Sequence, residues 1–173
     1  MLDKMIGFIG AGNMGSAMIG GILDASLVTT SQIIASAHSP ETLDKIRTKF
    51  SIETTQSNEV VAERSDILFL AVKPNKFSEV LPQIKGHLKP DCIVVSIAAG
   101  QPIANIEALL GKVRLIRAMP NTPALVGAAM SALCPNDKVT PEEVKLVESL
   151  FNSFGRAEVV PESMMDAVVG VSG

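Results

Sequence analysis

Short apolar runs alternate with amphipathic stretches along most of the chain, and that alternation predicts βαβ units around a parallel sheet. The first run, Met5-Ile6-Gly7-Phe8-Ile9, reads as a strand, and the glycine-rich turn behind it leads into a helix from about Asn13 to Ala25. Gln32 to Ser36 reads as the second strand, after which Ser39 and Pro40 supply an N-cap and a first-turn proline for another helix. Ile52-Glu53-Thr54 is a short third strand. Ile67 to Val72, Cys92 to Ile97 and Val113 to Ala118 are brief, almost wholly apolar and flanked by turn residues, as central strands covered on both faces must be.

Beyond Met119 the pattern changes. The two prolines of Pro120-Asn121-Thr122-Pro123 forbid helix locally, and the small residues from Gly127 to Leu133 read as one more strand. Thr140-Pro141-Glu142-Glu143 combines an N-cap, a first-turn proline and a capping-box glutamate, so a helix should run to about Phe151. A strand near Ala157 to Val160 follows, then a helix over Glu162 to Val169, and the chain stops at Val171-Ser172-Gly173. The expected fold is α/β, a Rossmann-type, mostly parallel sheet flanked by helices.

Composition narrows the function classes. A chain of 173 residues holds one full core and the start of a second unit. Hydrophobic residues make up 47% and charged residues 19%, which excludes a disordered chain. The net charge of −3 comes from interspersed acids and bases, so no basic field exists for nucleic acid, and an anionic ligand must be caught by local devices. Cys92 and Cys134 lie far apart in apolar segments and read as buried thiols of a reducing compartment. Met1-Leu2-Asp3-Lys4 runs straight into a strand, leaving no room for an export signal, and no apolar run nears the ~20 residues that span a bilayer. A soluble, cytoplasmic protein without membrane contact is expected. Nothing shows ligand spacing for a metal, and His87 reads as an inert surface residue.

Gly10-Ala11-Gly12-Asn13-Met14-Gly15 is G-x-G-x-x-G placed directly between strand and helix, the context in which it binds a dinucleotide. Gly10 permits the tight turn, Gly12 lets the backbone approach a diphosphate, and Gly15 lets helix and strand pack closely. The amides at the helix start, with the helix dipole, stabilise the diphosphate charge. Gly20-Gly21 inside the same helix costs stability and implies a face pressed against a neighbour. NAD-preferring domains usually carry an acid at the end of the second strand to bind the ribose 2′-OH. Here the sequence is Ala35-Ser36-Ala37-His38-Ser39-Pro40, without an acid, so a 2′-phosphate meets hydroxyls, helix-start amides and His38 when protonated. That favours NADPH, with NADH as the second candidate; His38 as a plain exposed loop residue is the competing reading.

Three further segments gather at the edge where α/β sheets bind ligands: Ala71-Val72-Lys73-Pro74, Ser96-Ile97-Ala98-Ala99-Gly100, and Arg117-Ala118-Met119-Pro120-Asn121-Thr122-Pro123. Each joins small residues, which let a flat ring approach, to a rigid turn, and together they look like a nicotinamide pocket. These segments with Gly7 to Gly15 resemble pyrroline-5-carboxylate reductases, in order and at fitting spacings, over essentially the whole chain. The Met119-Pro120-Asn121-Thr122-Pro123 element is the specific one, and Met165 to Gly173 resembles the helix entering that family's Ser-Gly-rich substrate loop.

The resemblance implies cofactor contacts at Ile9, Gly10, Ala11, Gly12, Asn13 and Met14, at Ser36, at Asn58 on the adenosine side, at Ala71, Val72, Lys73 and Pro74, and at Ile97, Ala98 and Ala99. It places Asn121 near nicotinamide and substrate. Lys73 is a candidate for fixing the ribose or stabilising charge, with a solvent lysine at a strand end as the alternative. The implied reaction is hydride transfer to the C=N carbon of 1-pyrroline-5-carboxylate, giving proline, where alignment supplies much of the catalysis. It also implies residues 1–160 as the dinucleotide-binding domain and 161–173 as the start of a helical substrate and dimerisation domain, otherwise absent. Family members are homo-oligomeric through that domain. A chain that binds cofactor, reduces substrate poorly and leaves apolar surface exposed on its last helix is therefore expected. Two readings compete: a hydroxyacid dehydrogenase of the 6-phosphogluconate type, and a non-catalytic NADPH-sensing module.

Overall fold

The structure is a computed structural model and describes residues 1–172. Eight strands form one sheet in the order β3-β2-β1-β4-β5-β6-β7-β8. They are β1 (Ile6–Ile9), β2 (Ile33–Ser36), β3 (Glu53–Thr55), β4 (Ile67–Leu70), β5 (Ile93–Ser96), β6 (Arg114–Met119), β7 (Ala129–Pro135) and β8 (Gly155–Val159). The first six run parallel. β7 is antiparallel to β6, because the link between them is too short for a parallel crossover, and β8 runs parallel to β7 after a helical return. The helices are α1 (Asn13–Asp24), α2 (Pro40–Phe50), α3 (Asn58–Arg64), α4 (Phe77–Ile84), α5 (Ile103–Leu110), α6 (Pro141–Phe151) and α7 (Met165–Ser172).

Successive side chains on a strand point to opposite faces, so each apolar strand feeds two cores. On one face Phe8, Phe69, Phe151 and Phe154 pack in a chain, starting with a stacked Phe8–Phe69 pair 4.8 Å apart, and Met18, Ile19 and Ile22 of α1 close over them. On the other, Leu68, Leu70 and Val94 meet Val61 of α3, Phe77 and Leu81 of α4 and Ile106 of α5. Ser39, Ser57 and Thr140 cap α2, α3 and α6, with Pro40 and Pro141 in their first turns as expected. Cys92 and Cys134 are both buried free thiols, and burial pushes Cys92 up to about 12.

One expectation needs correction. The prolines after Met119 do not exclude helix: Thr122–Val126 forms a short 3-10 turn. Pro123 stands in its first turn, where a proline's missing N–H is not needed. The start of the final helix is packed, while the side chains beyond Val168 lie outside the described residues. Met164 is exposed, but Met165 is fully buried against Ala132 and Cys134, and Glu162 and Asp166 both pair with Arg117 of β6. Gly173, the last residue of that segment, lies outside the described residues.

Asp66, just before β4, fastens the sheet's amino edge: its carboxylate accepts from the Met5 amide at 2.7 Å and from Lys89 Nζ at 3.0 Å. Burial raises its pKa, but these two hydrogen bonds outweigh burial and hold it below the ordinary value. A depressed carboxylate stabilises fully above its unfolded pKa of about 3.9 and loses that contribution as pH falls through the folded value. Thermal midpoints of Asp66→Asn should therefore fall less steeply than those of the parent below about pH 4. At pH 7 the variant should be less stable by about 1 kcal/mol.

Candidate functional site

Register lines up the carboxyl ends of the central strands. Ile9 faces Ser36 on one side and Leu70 on the other, Leu70 faces Ser96, and Ser96 faces Arg117. The ladder continues one residue further: Gly10 N–H donates to Ser36 O at 3.0 Å, Ala71 N–H to Ile9 O at 2.8 Å, and Ile97 N–H to Leu70 O at 3.2 Å. The glycine turn, the Ala71–Pro74 loop and the Ile97–Ala99 loop thus leave the sheet at one level. Strand order reverses here, since β2 and β4 flank β1, and such a reversal opens the crevice where α/β sheets take ligands.

At Gly10 φ is +93°, and a Cβ there would lie 2.8 Å from the Ala71 carbonyl, so both conformation and packing require glycine. Gly15 and Gly21 are packing positions: a Cβ would come 2.9 Å from Gly10 O and 2.8 Å from Phe154 Cβ respectively, as the sequence implied. Gly12 differs. It is exposed, its φ of −73° suits any residue, and a Cβ there would have no protein atom within 4 Å. Among the described residues nothing explains a glycine at that position, and the bare backbone there is open to close approach from outside. Gly12 is also the N-cap of α1, which has no side-chain cap and no acid in its first turn, leaving the opening amides to an anion.

Around this corner, Ala11 is buried, Asn13 exposed and Met14 half-buried. Ser36 has no exposed surface, and its hydroxyl donates to Asn58 Oδ1 at 2.6 Å; Asn58 Nδ2 donates to Gln83 Oε1 at 2.9 Å. The sequence reading joined Ser36 and Asn58 to one site and missed Gln83, a polar residue beside the apolar face of α4. His38 is exposed, and its carbonyl accepts from Gln56 Nε2 at 3.1 Å. Lys73 is exposed at the start of the 3-10 turn Pro74–Lys76, with no partner for its ammonium among the described residues. Val72, Pro74, Ile97 and Ala99 are half-buried, and Ala98 is buried, its amide donating to Ser96 Oγ at 3.4 Å.

Asn121 is half-buried, and its Oδ1 accepts from the Met130 amide at 3.0 Å, tying the Met119–Pro123 segment to β7. Asn121→Ala should loosen this loop and cost about 1 kcal/mol in urea unfolding, while Asn121→Asp, which keeps the acceptor, should cost less. His87 Nδ1 bonds Glu63 at 2.7 Å on the surface, away from the glycine turn. A cavity of about 710 Å³, between Ile103, Glu107, Cys134, Asn136 and Val160, does not include that turn either. Among the described residues no three His, Cys, Asp or Glu side chains converge, and no helix is long and apolar enough to cross a membrane.

Comparison with known proteins agrees with this geometry. A family described as NADP oxidoreductase, coenzyme F420-dependent, matches residues 5–100. The chain is 46% identical to the pyrroline-5-carboxylate reductase of Escherichia coli strain K12 over 173 residues, 99% of this chain and 64% of that protein's length. A solved pyrroline-5-carboxylate reductase from Coxiella burnetii superposes with a TM-score of 0.95 at 32% identity, over 99% of this chain and 64% of the other. The Plasmodium falciparum pyrroline carboxylate reductase, solved with NADP bound, gives 0.90 at 32% identity, over 100% and 63%. The chain thus spans just under two thirds of the length of these relatives.

Proposed function

We propose, on the premise that the chain belongs to the family described as NADP oxidoreductase, coenzyme F420-dependent, that it is the cofactor-binding part of a reductase that converts 1-pyrroline-5-carboxylate to proline. The observation that carries the reading is the clear space at Gly12 beside the uncapped start of α1. Likeness over the whole chain to pyrroline-5-carboxylate reductases, one of them solved with NADP, supports the same reading.

The amides from Gly12 to Gly15 hold the diphosphate, with Gly10 setting the turn and Ile9 and Ala11 bracing it from the core. Asn58, steadied by Ser36, faces the adenosine ribose. His38 and the capped start of α2, whose first turn also carries Glu41, meet the 2′-phosphate, and the end of β2 itself carries no carboxylate. Val72, Lys73 and Pro74 with Ile97, Ala98 and Ala99 border the ring, and Lys73 brings an ammonium without a partner among the described residues. Asn121 holds the Met119–Pro123 segment in place at the ring end. When bound, the reduced nicotinamide supplies a hydride to the C=N carbon. The protein contributes alignment and exclusion of water, for which a rigid loop and small side chains suffice. In the whole protein, residues beyond 160 complete the substrate pocket and the oligomer contact.

Fluorescence titration tests the cofactor preference. NADPH should bind about fivefold tighter than NADH or better, since the carboxylate that selects a free 2′-OH is lacking. Equal or tighter NADH binding contradicts it. The whole protein should reduce 1-pyrroline-5-carboxylate at ordinary enzymatic rates, about 10 per second, whereas residues 1–173 alone should turn over far more slowly. Oxidation of a hydroxyacid by the whole protein points to the hydroxyacid dehydrogenase reading. NADPH binding without any imine reduction by the whole protein points to the sensor.

A further inference from the structure

Gln83, on α4, belongs to none of the strand-end loops that border the proposed site, yet it closes a three-residue chain that begins in the sheet. Ser36 ends β2 with no exposed surface, so its hydroxyl has no water to turn to and commits its proton to Asn58 Oδ1 at 2.6 Å. Asn58 then donates from Nδ2 to Gln83 Oε1 at 2.9 Å. The Asn58 carboxamide is tethered at both ends, by β2 on one side and α4 on the other. An asparagine at the first position of a helix otherwise turns freely between rotamers, and holding it costs entropy that a ligand must supply at binding.

We infer that Gln83 is a positioning residue for the adenosine end of the cofactor, acting through Asn58 and touching no ligand itself. This rests on the reading that places Asn58 beside the adenosine ribose. With Gln83 present, Asn58 is already in its binding rotamer; without it, Ser36 is the single remaining tether.

The experiment measures Kd for NADPH and for 2′-phospho-ADP-ribose, which lacks the nicotinamide, on the parent chain and on Gln83→Leu, Asn58→Ala and the double variant. Gln83→Leu should weaken both ligands by the same factor, about fivefold, as expected for one lost hydrogen bond. In the Asn58→Ala background, Gln83→Leu should change neither Kd further, because its effect travels through Asn58. Three results overturn the inference: parent-like Kd values for Gln83→Leu, a loss that persists in full in the Asn58→Ala background, or a loss for NADPH without one for 2′-phospho-ADP-ribose. If Asn58→Ala itself leaves both Kd values unchanged, the adenosine-side reading falls and this inference falls with it.

Discussion

Gly12→Asp should raise the thermal midpoint of the chain by about 2 °C while weakening NADPH binding about a hundredfold, roughly 2.7 kcal/mol. The two signs have separate causes at one residue. Gly12 is the N-cap of α1, in an extended conformation open to any side chain, with no protein atom near its missing Cβ. Aspartate is among the preferred N-caps: its carboxylate accepts from the first helical amides, and its charge complements the positive end of the helix dipole. The same carboxylate stands where the diphosphate is proposed to lie, claims the same amides, and repels a second anion. Calorimetry and a fluorescence titration on one preparation check both halves. A destabilised variant that still binds NADPH like the parent would show that Gly12 serves the fold rather than the ligand.

The second large effect concerns Arg117, which is 2% exposed on β6, level with Ser96 and Cys134. Its guanidinium lies 3.1 Å from Asp166 Oδ1 and 3.6 Å from Glu162 Oε1. Glu162 also accepts from the Ile103 amide at 2.7 Å, so the residues after β8 are fixed to α5 and β6 together. Removing both acids, as Glu162→Ala with Asp166→Ala, strands a buried cation and should cost about 3 kcal/mol in urea unfolding. Arg117→Met keeps much of the volume and leaves two carboxylates whose side chains are 40% and 82% exposed and can be hydrated. That variant should cost about 1 kcal/mol. An Arg117→Met chain less stable than the double acid variant would reverse the argument. Arg117 lies two residues before Met119, so this anchor joins the residues after β8 to the strand that enters the Met119–Pro123 segment.

Much of this was legible in the residues. The central strands were found because they are covered on both faces and carry unbroken apolar runs. The start of α1 was found because its glycine turn has a known mechanical purpose, and α2 and α6 because serine, threonine and proline mark their first turns. The direction of β7 was not legible, since antiparallel pairing follows from the length of its link and not from its side chains. The 3-10 turn at Thr122–Val126 was misjudged because two prolines were weighed as breakers, whereas one of them starts a turn. Arg117 did carry a signal, a cation set between the apolar residues Ile116 and Ala118 of β6. Its partners, though, are 45 and 49 residues further on, and no local pattern announces them. Gln83 meets Asn58 across 25 residues for the same reason.

The most direct measurement is a structure of this chain with NADP bound. The account places both phosphates over the amides of Gly12 to Gly15, with the ring bordered by Ala71–Pro74 and Ile97–Ala99. Phosphates bound at any other edge of the sheet, or a ring turned to solvent beside α2, would contradict it.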